Sequence, residues 1–160
     1  MQNRNSLRKN IGKTEWSVIL LDVKKLVSKL IRKYHTRNVF DLAKSMGILV
    51  LFEDLGSING YYSKQLRIKQ IHINCNLPEY MQTLTCAHEL GHAVMHQNAN
   101  TSFLRSSTFL SVDRLEIEAN TFAMHLLLSD EVINEHKGYT VEQMSRITGY
   151  NKRLIELRIK

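Results

Sequence analysis

The stretch "CAHELGHAVMH", residues 86–96, constrains this chain more than any other, because it places His88, Glu89 and His92 in the order H-E-x-x-H inside an otherwise apolar run. At about 100° per residue, two histidines four apart lie about 40° from each other on one helical face, so both imidazoles reach a single ion. Glu89 falls about 60° beyond His92, where it flanks that ion without joining it. Met81, Leu84, Ala87, Leu90, Val94 and Met95 fill the rest of the wheel, which predicts a helix buried on one side and chemically furnished on the other. Gly91 lies inside the apolar arc. A glycine within a helix costs about 1 kcal/mol relative to alanine, so its presence predicts a neighbouring element at close approach.

Two histidines do not complete a catalytic zinc site, which ordinarily takes three protein ligands and keeps a fourth position open. The long His-ended version of the motif has a glycine three residues after the second histidine, and here Met95 stands in that place. The third ligand must come from another segment. "DRLEIEANTFA", 113–123, offers Glu116 and Glu118. On a helix, Glu116 shares a face with Asn120, Ala123 and Leu127 at the edge of an apolar arc, whereas Glu118 points about 160° away toward Thr121 and His125. A carboxylate on a buried face is costly unless it is paired or bound to a metal, which favours Glu116 as third ligand and keeps Glu118 as the alternative. Asn120, one turn on, is placed to orient a ligating ring. The chemistry this set supports is peptide-bond hydrolysis, with zinc as the metal and Glu89 as the group that takes a proton from water and passes it to the leaving amine. Tyr61, Tyr62, His72 and His125 are candidates for stabilising the oxyanion, and His96 continues the histidine series either as a support for the site or as a helix-end residue.

The remaining segments supply a frame for these residues. "VILLDVKKLVSKLIRKY" (18–34) has helical spacing, and "VFDLAKSM" (39–46) follows as a shorter helix with Asn38 to cap it and Gly47 to end it. "ILVLF" (48–52) reads as a strand, and 57–74 as two more around a turn near Ser63–Gln65. Pro78 suits the first turn of the motif helix, which runs to about His96. A polar loop at 97–111 leads to a second long helix over 113–128, and helices are expected at 129–136, at 140–148 behind a Thr-x-x-Gln capping box, and at 151–160. The expected class is α+β: mostly helical, with a small three-stranded sheet before the motif helix. No repeat, low-complexity tract or Pro/Gly-rich linker divides the 160 residues, which favours one domain.

The formal net charge of +7 gathers at the two ends, in Arg4, Arg8, Lys9 and Lys13 and in Lys152, Arg153, Arg158 and Lys160. Such a balance admits nucleic acid or an acidic protein as partner, although a solvated basic surface produces the same count. Cys75 and Cys86 sit in no C-x-x-C pattern and are expected to be packing residues in a reducing compartment. The apolar runs near the N-terminus are too short for a bilayer span or a secretory core, so a cytoplasmic location is expected.

Taken together, Gly60-Tyr61, "IHIN", "TCAHELGHAVMH" and "EIEANTFAMHLLL" resemble the ImmA/IrrE family of bacterial zinc metallopeptidases, over roughly residues 38–128. Leu128-Ser129 replaces the Met-Pro that usually ends the long helix there. The resemblance implies a zincin-like metallopeptidase domain over 1–160, with 129–160 a C-terminal helical tail. It implies His88 and His92 as ligands, Glu89 as catalyst, the Glu116–Asn120 stretch as the third-ligand helix, and regulatory cleavage or inactivation of helix-turn-helix repressors. Two other functions compete with this one. The segment "TVEQMSRITGYNKRLIELRIK" has the spacing of a helix-turn-helix and could bind DNA directly, and a metal-binding regulator without turnover would need the same ligands.

Overall fold

The computed structural model describes residues 13–98 and 109–159. The elements run α1 (Lys13–Tyr34), α2 (Val39–Ser45), β1 (Ile48–Glu53), β2 (Gly60–Gln65), β3 (Ile68–Asn74), α3 (Glu79–Met95), α4 (Phe109–Leu127), α5 (Asp130–Glu135), α6 (Val141–Thr148) and α7 (Lys152–Ile159). This is the expected α+β class, with the three-stranded sheet placed before the motif helix α3. Both long helices begin earlier than their apolar spacing predicts, α1 at Lys13 and α4 at Phe109. The rest of the loop expected at 97–111 lies largely outside the described residues, as do Arg4, Arg8, Lys9 and Lys160.

Local chemistry explains most boundaries. Asn38 Oδ1 accepts the N–H groups of Phe40 and Asp41 at 2.9 and 3.1 Å, and Gly47 follows the helix end with φ +69°. Thr140 and Gln143 close a reciprocal capping box on α6. Pro78 stands one position outside α3, where its carbonyl accepts from Met81 and Gln82. The departure at Ser129 has a local use, since its Oγ caps α5 by accepting the Val132 N–H at 3.3 Å. The hairpin turn differs from expectation. It falls on Leu66 and Arg67, both in the left-handed region at φ +48° and +71°, rather than on Ser63–Gln65. Neither residue type is a usual occupant of such a turn, so the sequence carries no mark of it.

The sheet order is β1-β3-β2, with β1 and β3 parallel and β2 antiparallel to β3. Alternation sends Tyr62, Ile71 and Ile73 into the core with Leu42, Leu90, Phe122 and Leu126. Tyr61 and its register partner His72 stack on the other face, ring centroids 4.4 Å apart. A second cluster of Met124, Leu128, Met144 and Ile155 packs the tail helices onto the end of α4. Cys86 is buried as expected, whereas Cys75 is exposed in the turn after β3.

Two glycines set how closely α3 lies to its neighbours. A Cβ on Gly60 would stand 2.6 Å from Thr85 Cγ2 and 2.6 Å from the His72 carbonyl, so β2 meets α3 with no room for a side chain. A Cβ on Gly91 would stand 3.1 Å from both Cα and O of Ala119 and 3.2 Å from Phe122 Cβ, and this is the close approach anticipated from the sequence. At its far end, α4 is held by two arginines. Arg37 Nη1 donates to the carbonyls of His125 and Leu126 at 3.1 and 3.0 Å, while buried Arg158 donates from Nε to the Leu128 carbonyl at 2.7 Å and from Nη2 to Asp130 at 2.6 Å. These bonds satisfy helix-end carbonyls that would otherwise be stranded.

His125 belongs to this end of the molecule. Nine residues from Glu116, it lies about 13 Å away along the helix, which removes it from the candidates for an oxyanion donor. Burial, together with Arg158, Lys24 and Arg37 against the single opposing charge of Asp130, pushes its pKa down to about 4. The ring is therefore neutral in the folded protein at pH values where the unfolded chain already binds a proton. Stability from this group is complete above about pH 6.5 and is lost as the pH falls toward 4. We expect His125→Asn to flatten the stability profile between these values, by roughly 2 kcal/mol after allowance for solvent screening. Urea titrations of the two proteins at pH 4.5 and 7.5 measure it, and parallel profiles would contradict it. Gly91→Ala should lower stability by about 1 kcal/mol, because pressing a methyl against the α4 backbone costs more than the helix propensity gained. Equal or higher denaturation midpoints would show that α4 gives way.

Candidate metal centre

The α3–α4 contact line is the origin of the site. His88 and His92, one turn apart on α3, turn their Nε2 atoms to within 3.2 Å of each other. From α4, Glu116 places Oε2 3.2 Å from His88 Nε2 and Oε1 3.4 Å from His92 Nε2. One ligand atom from each of the three residues fits within a span of 4.8 Å. Two imidazole nitrogens and one carboxylate oxygen converging from two helices form a donor set of the kind that would hold a metal ion such as zinc. His92 is buried, while His88 and Glu116 are partly accessible, so the cluster has one wetted side.

The outer nitrogens of both rings are also engaged. His88 Nδ1 lies 2.8 Å from Asn120 Oδ1, an acceptor, so that nitrogen donates and Nε2 is the one turned toward His92 and Glu116. His92 Nδ1 lies 3.1 Å from His96 Nδ1. His96 Nε2 lies 2.8 Å from Glu118 Oε2, and Glu118 Oε1 accepts from Arg114 Nε at 2.9 Å. The two carboxylates weighed as third ligand therefore divide the work. Ala119 rests on Gly91, and at about 100° per residue Glu116 and Glu118 fall on opposite sides of that line, one reaching His88 and His92, the other reaching His96.

Charge holds this cluster together. Burial alone would raise the Glu116 pKa, but its hydrogen bonds to His88 and His92 outweigh that and hold the carboxyl well below the usual carboxylate range. His88 is raised: burial opposes its charge, and the Glu116 contact together with the charge of Glu89 overcomes burial. Glu118 is lowered by His96 and Arg114 against burial, while burial dominates at His96 and lowers it. Glu89 is 1% exposed on α3, and together with burial, the larger effect, its charge pushes the Cys86 thiol up to about 12. Cys86 is thus an inert packing group.

The other candidates are committed elsewhere. Tyr62 is packed in the core on the helix side of the sheet. His72 Nδ1 lies 2.7 Å from Glu53 Oε2, with the ring stacked on Tyr61. What sequence reasoning missed is the His96–Glu118–Arg114 chain. Its signals were present in the four-residue spacing of His92 and His96 and of Arg114 and Glu118, but only helix packing joins the two pairs.

Residues 43–148 match the peptidase family described as IrrE N-terminal-like domain. An uncharacterised immunity region protein of Bacillus phage phi105 is 41% identical over 139 residues, covering 85% of this chain and 88% of that protein. Metallopeptidase ImmA of Bacillus subtilis is 34% identical over 129 residues, covering 77% of this chain and 75% of its own length. A solved structure of a Mycobacterium tuberculosis transcriptional regulator shares the fold at a TM-score of 0.56 and 17% identity. That likeness takes in 89% of this chain but only 46% of the larger protein. On the family match and the two relatives, the chain belongs to the ImmA/IrrE family of metallopeptidases.

Proposed function

We propose that this protein is a zinc-dependent endopeptidase whose metal ligands are His88, His92 and Glu116, whose general base is Glu89, and whose substrate is a helix-turn-helix repressor that it cleaves or otherwise inactivates in the cytoplasm. The observation that carries the reading is the convergence of three ligand atoms within 4.8 Å, on a helix that also bears the buried Glu89. When bound, a zinc ion supplies electrophilic polarisation of a peptide carbonyl and makes water acidic near neutral pH. The chain's own residues do the rest. Glu89 accepts the proton of the attacking water at a carboxylate oxygen and delivers it to the leaving amine nitrogen, Asn120 holds the His88 ring in place, and the apolar wall of α3 keeps bulk water off the buried side.

Two further features bear on the substrate. The name of the phage relative, an immunity region protein, supports a regulatory target rather than general digestion. In the sheet, β2 is an edge strand packed beside α3, which suits an extended segment pairing along Gly60–Gln65 and running toward the ligands. The tail contributes little to a nucleic-acid reading. Arg158 is buried against α4 and Asp130, while Lys152, paired with Glu142 at 3.1 Å, and Arg153 remain exposed, a small basic surface.

Two outcomes follow. Incubated with the repressor encoded beside it, the purified protein should convert that repressor into discrete fragments by gel and mass spectrometry, and a chelator should stop the conversion until zinc is restored. Fragmentation unaffected by chelator would sink the metal reading, and an intact repressor that keeps its operator affinity would remove it as the substrate. Glu89→Gln should retain one equivalent of zinc and lose about 10²–10⁴ in cleavage rate. A variant that retains turnover would remove Glu89 from its role, and an intact wild-type protein that binds zinc without cleaving would favour the regulator that lacks turnover.

A further inference from the structure

We propose that His96 and Glu118 are positioning residues of the metal centre, aligning His92 so that its Nε2 lone pair, and not an N–H, faces the ion. This rests on the metal reading above. Three contacts run in series from Arg114 to His92. Glu118, ionised and gripped by Arg114 at 2.9 Å, offers only acceptors, so the His96 Nε2 that lies 2.8 Å from it must be the donor. When His92 ligates an ion through Nε2, its Nδ1 is the nitrogen that carries the proton, and it points at His96 Nδ1 3.1 Å away. His96, whose Nε2 donates to Glu118, can accept that proton at Nδ1, so the chain fits a His92 whose ligating atom is Nε2, the nitrogen turned to Glu116 Oε1 at 3.4 Å and His88 Nε2 at 3.2 Å.

The alternative is that His96 merely ends α3. Its backbone does so, since its N–H donates to the His92 carbonyl at 2.8 Å. A helix-end histidine stabilised by the dipole would be charged and turned toward the last carbonyls. Here the side chain is 7% exposed and faces Glu118 across the interhelical seam, away from the last carbonyls. The arrangement also completes a symmetry of support. His88 donates to a neutral amide oxygen one step away, while His92 is wired through a second ring to an anion. An anion at the end of such a chain raises the basicity of the ligating nitrogen, and loss of an orienting partner of this kind typically costs 10–100-fold in metal affinity.

The test uses the full-length chain, with Zn²⁺ measured by competition against a chromophoric chelator and Co²⁺ measured by its visible d–d bands. Glu118→Gln keeps the shape and removes the anion, while His96→Phe keeps the bulk and removes both nitrogens. Each should weaken zinc binding 10–100-fold and shift the Co²⁺ bands. The double variant should lose little more than either single one, because both break the same chain. His96→Gln, which can accept at its amide oxygen and donate at its nitrogen, should recover part of the affinity. Melting in the presence of chelator separates this from a packing role, since a residue that only packs would lower the apo-protein melting temperature and leave the zinc affinity of the folded fraction unchanged. Affinities within twofold of wild type, or losses that multiply in the double variant, would overturn the assignment. A wild-type protein that takes up no zinc would overturn the metal reading and this assignment with it.

Discussion

Everything at the centre depends on how closely α4 lies against α3, and that distance is set where Gly91 meets the backbone of Ala119. A hydrogen in place of a methyl lets two helices approach without an intervening side chain. The carboxylates on either side of Ala119 then reach the histidine face from both flanks. Helix axes normally stand 8–10 Å apart, depending on the side chains at the contact. A bulkier residue at position 91 would move Glu116 outward and relax the cluster of ligand atoms. Gly91 therefore tolerates an unfavourable helix propensity because the position serves packing, and packing positions the chemistry.

A second constraint is the cost of gathering ionisable groups in a largely buried seam. Three histidines, two glutamates and an arginine meet there, and each contact pairs a donor with an acceptor or a cation with an anion. Glu116 keeps its ionised form because two imidazoles face it, and Glu118 because His96 and Arg114 do. Removing one member would leave its partner buried without compensation, which usually costs more than the pair contributes. The far end of α4 follows the same logic with different residues: Arg37 and Arg158 take up the terminal carbonyls, and neutral His125 sits among their charges. A helix fastened at its C-terminal end by arginines and near its middle by the glycine contact holds its ligand between elements that are themselves packed.

Residues close in sequence revealed themselves in advance. The H-E-x-x-H order, the edge position of Glu116, the Asn38 and Thr140 caps and the α+β order of elements all follow from helical and strand periodicity, which acts over one to three turns. Where a local signal was weak, the expectation drifted: the hairpin turn moved to Leu66–Arg67, Cys75 emerged at the surface, and both long helices began earlier than their apolar pattern.

What the sequence determined by itself was which residue types share a face, because a helix repeats every 3.6 residues whatever surrounds it. Which faces meet was decided by the tertiary structure. Glu118 was read as the outward alternative to Glu116, yet it lies against His96, and His125 was grouped with the site although it belongs to the opposite end of its helix. The contact line between α3 and α4 is a property of two surfaces at once. No spacing within either segment encodes it, and only when Gly91 is seen seated on Ala119 do the two half-networks, His92 with His96 and Arg114 with Glu118, join into one.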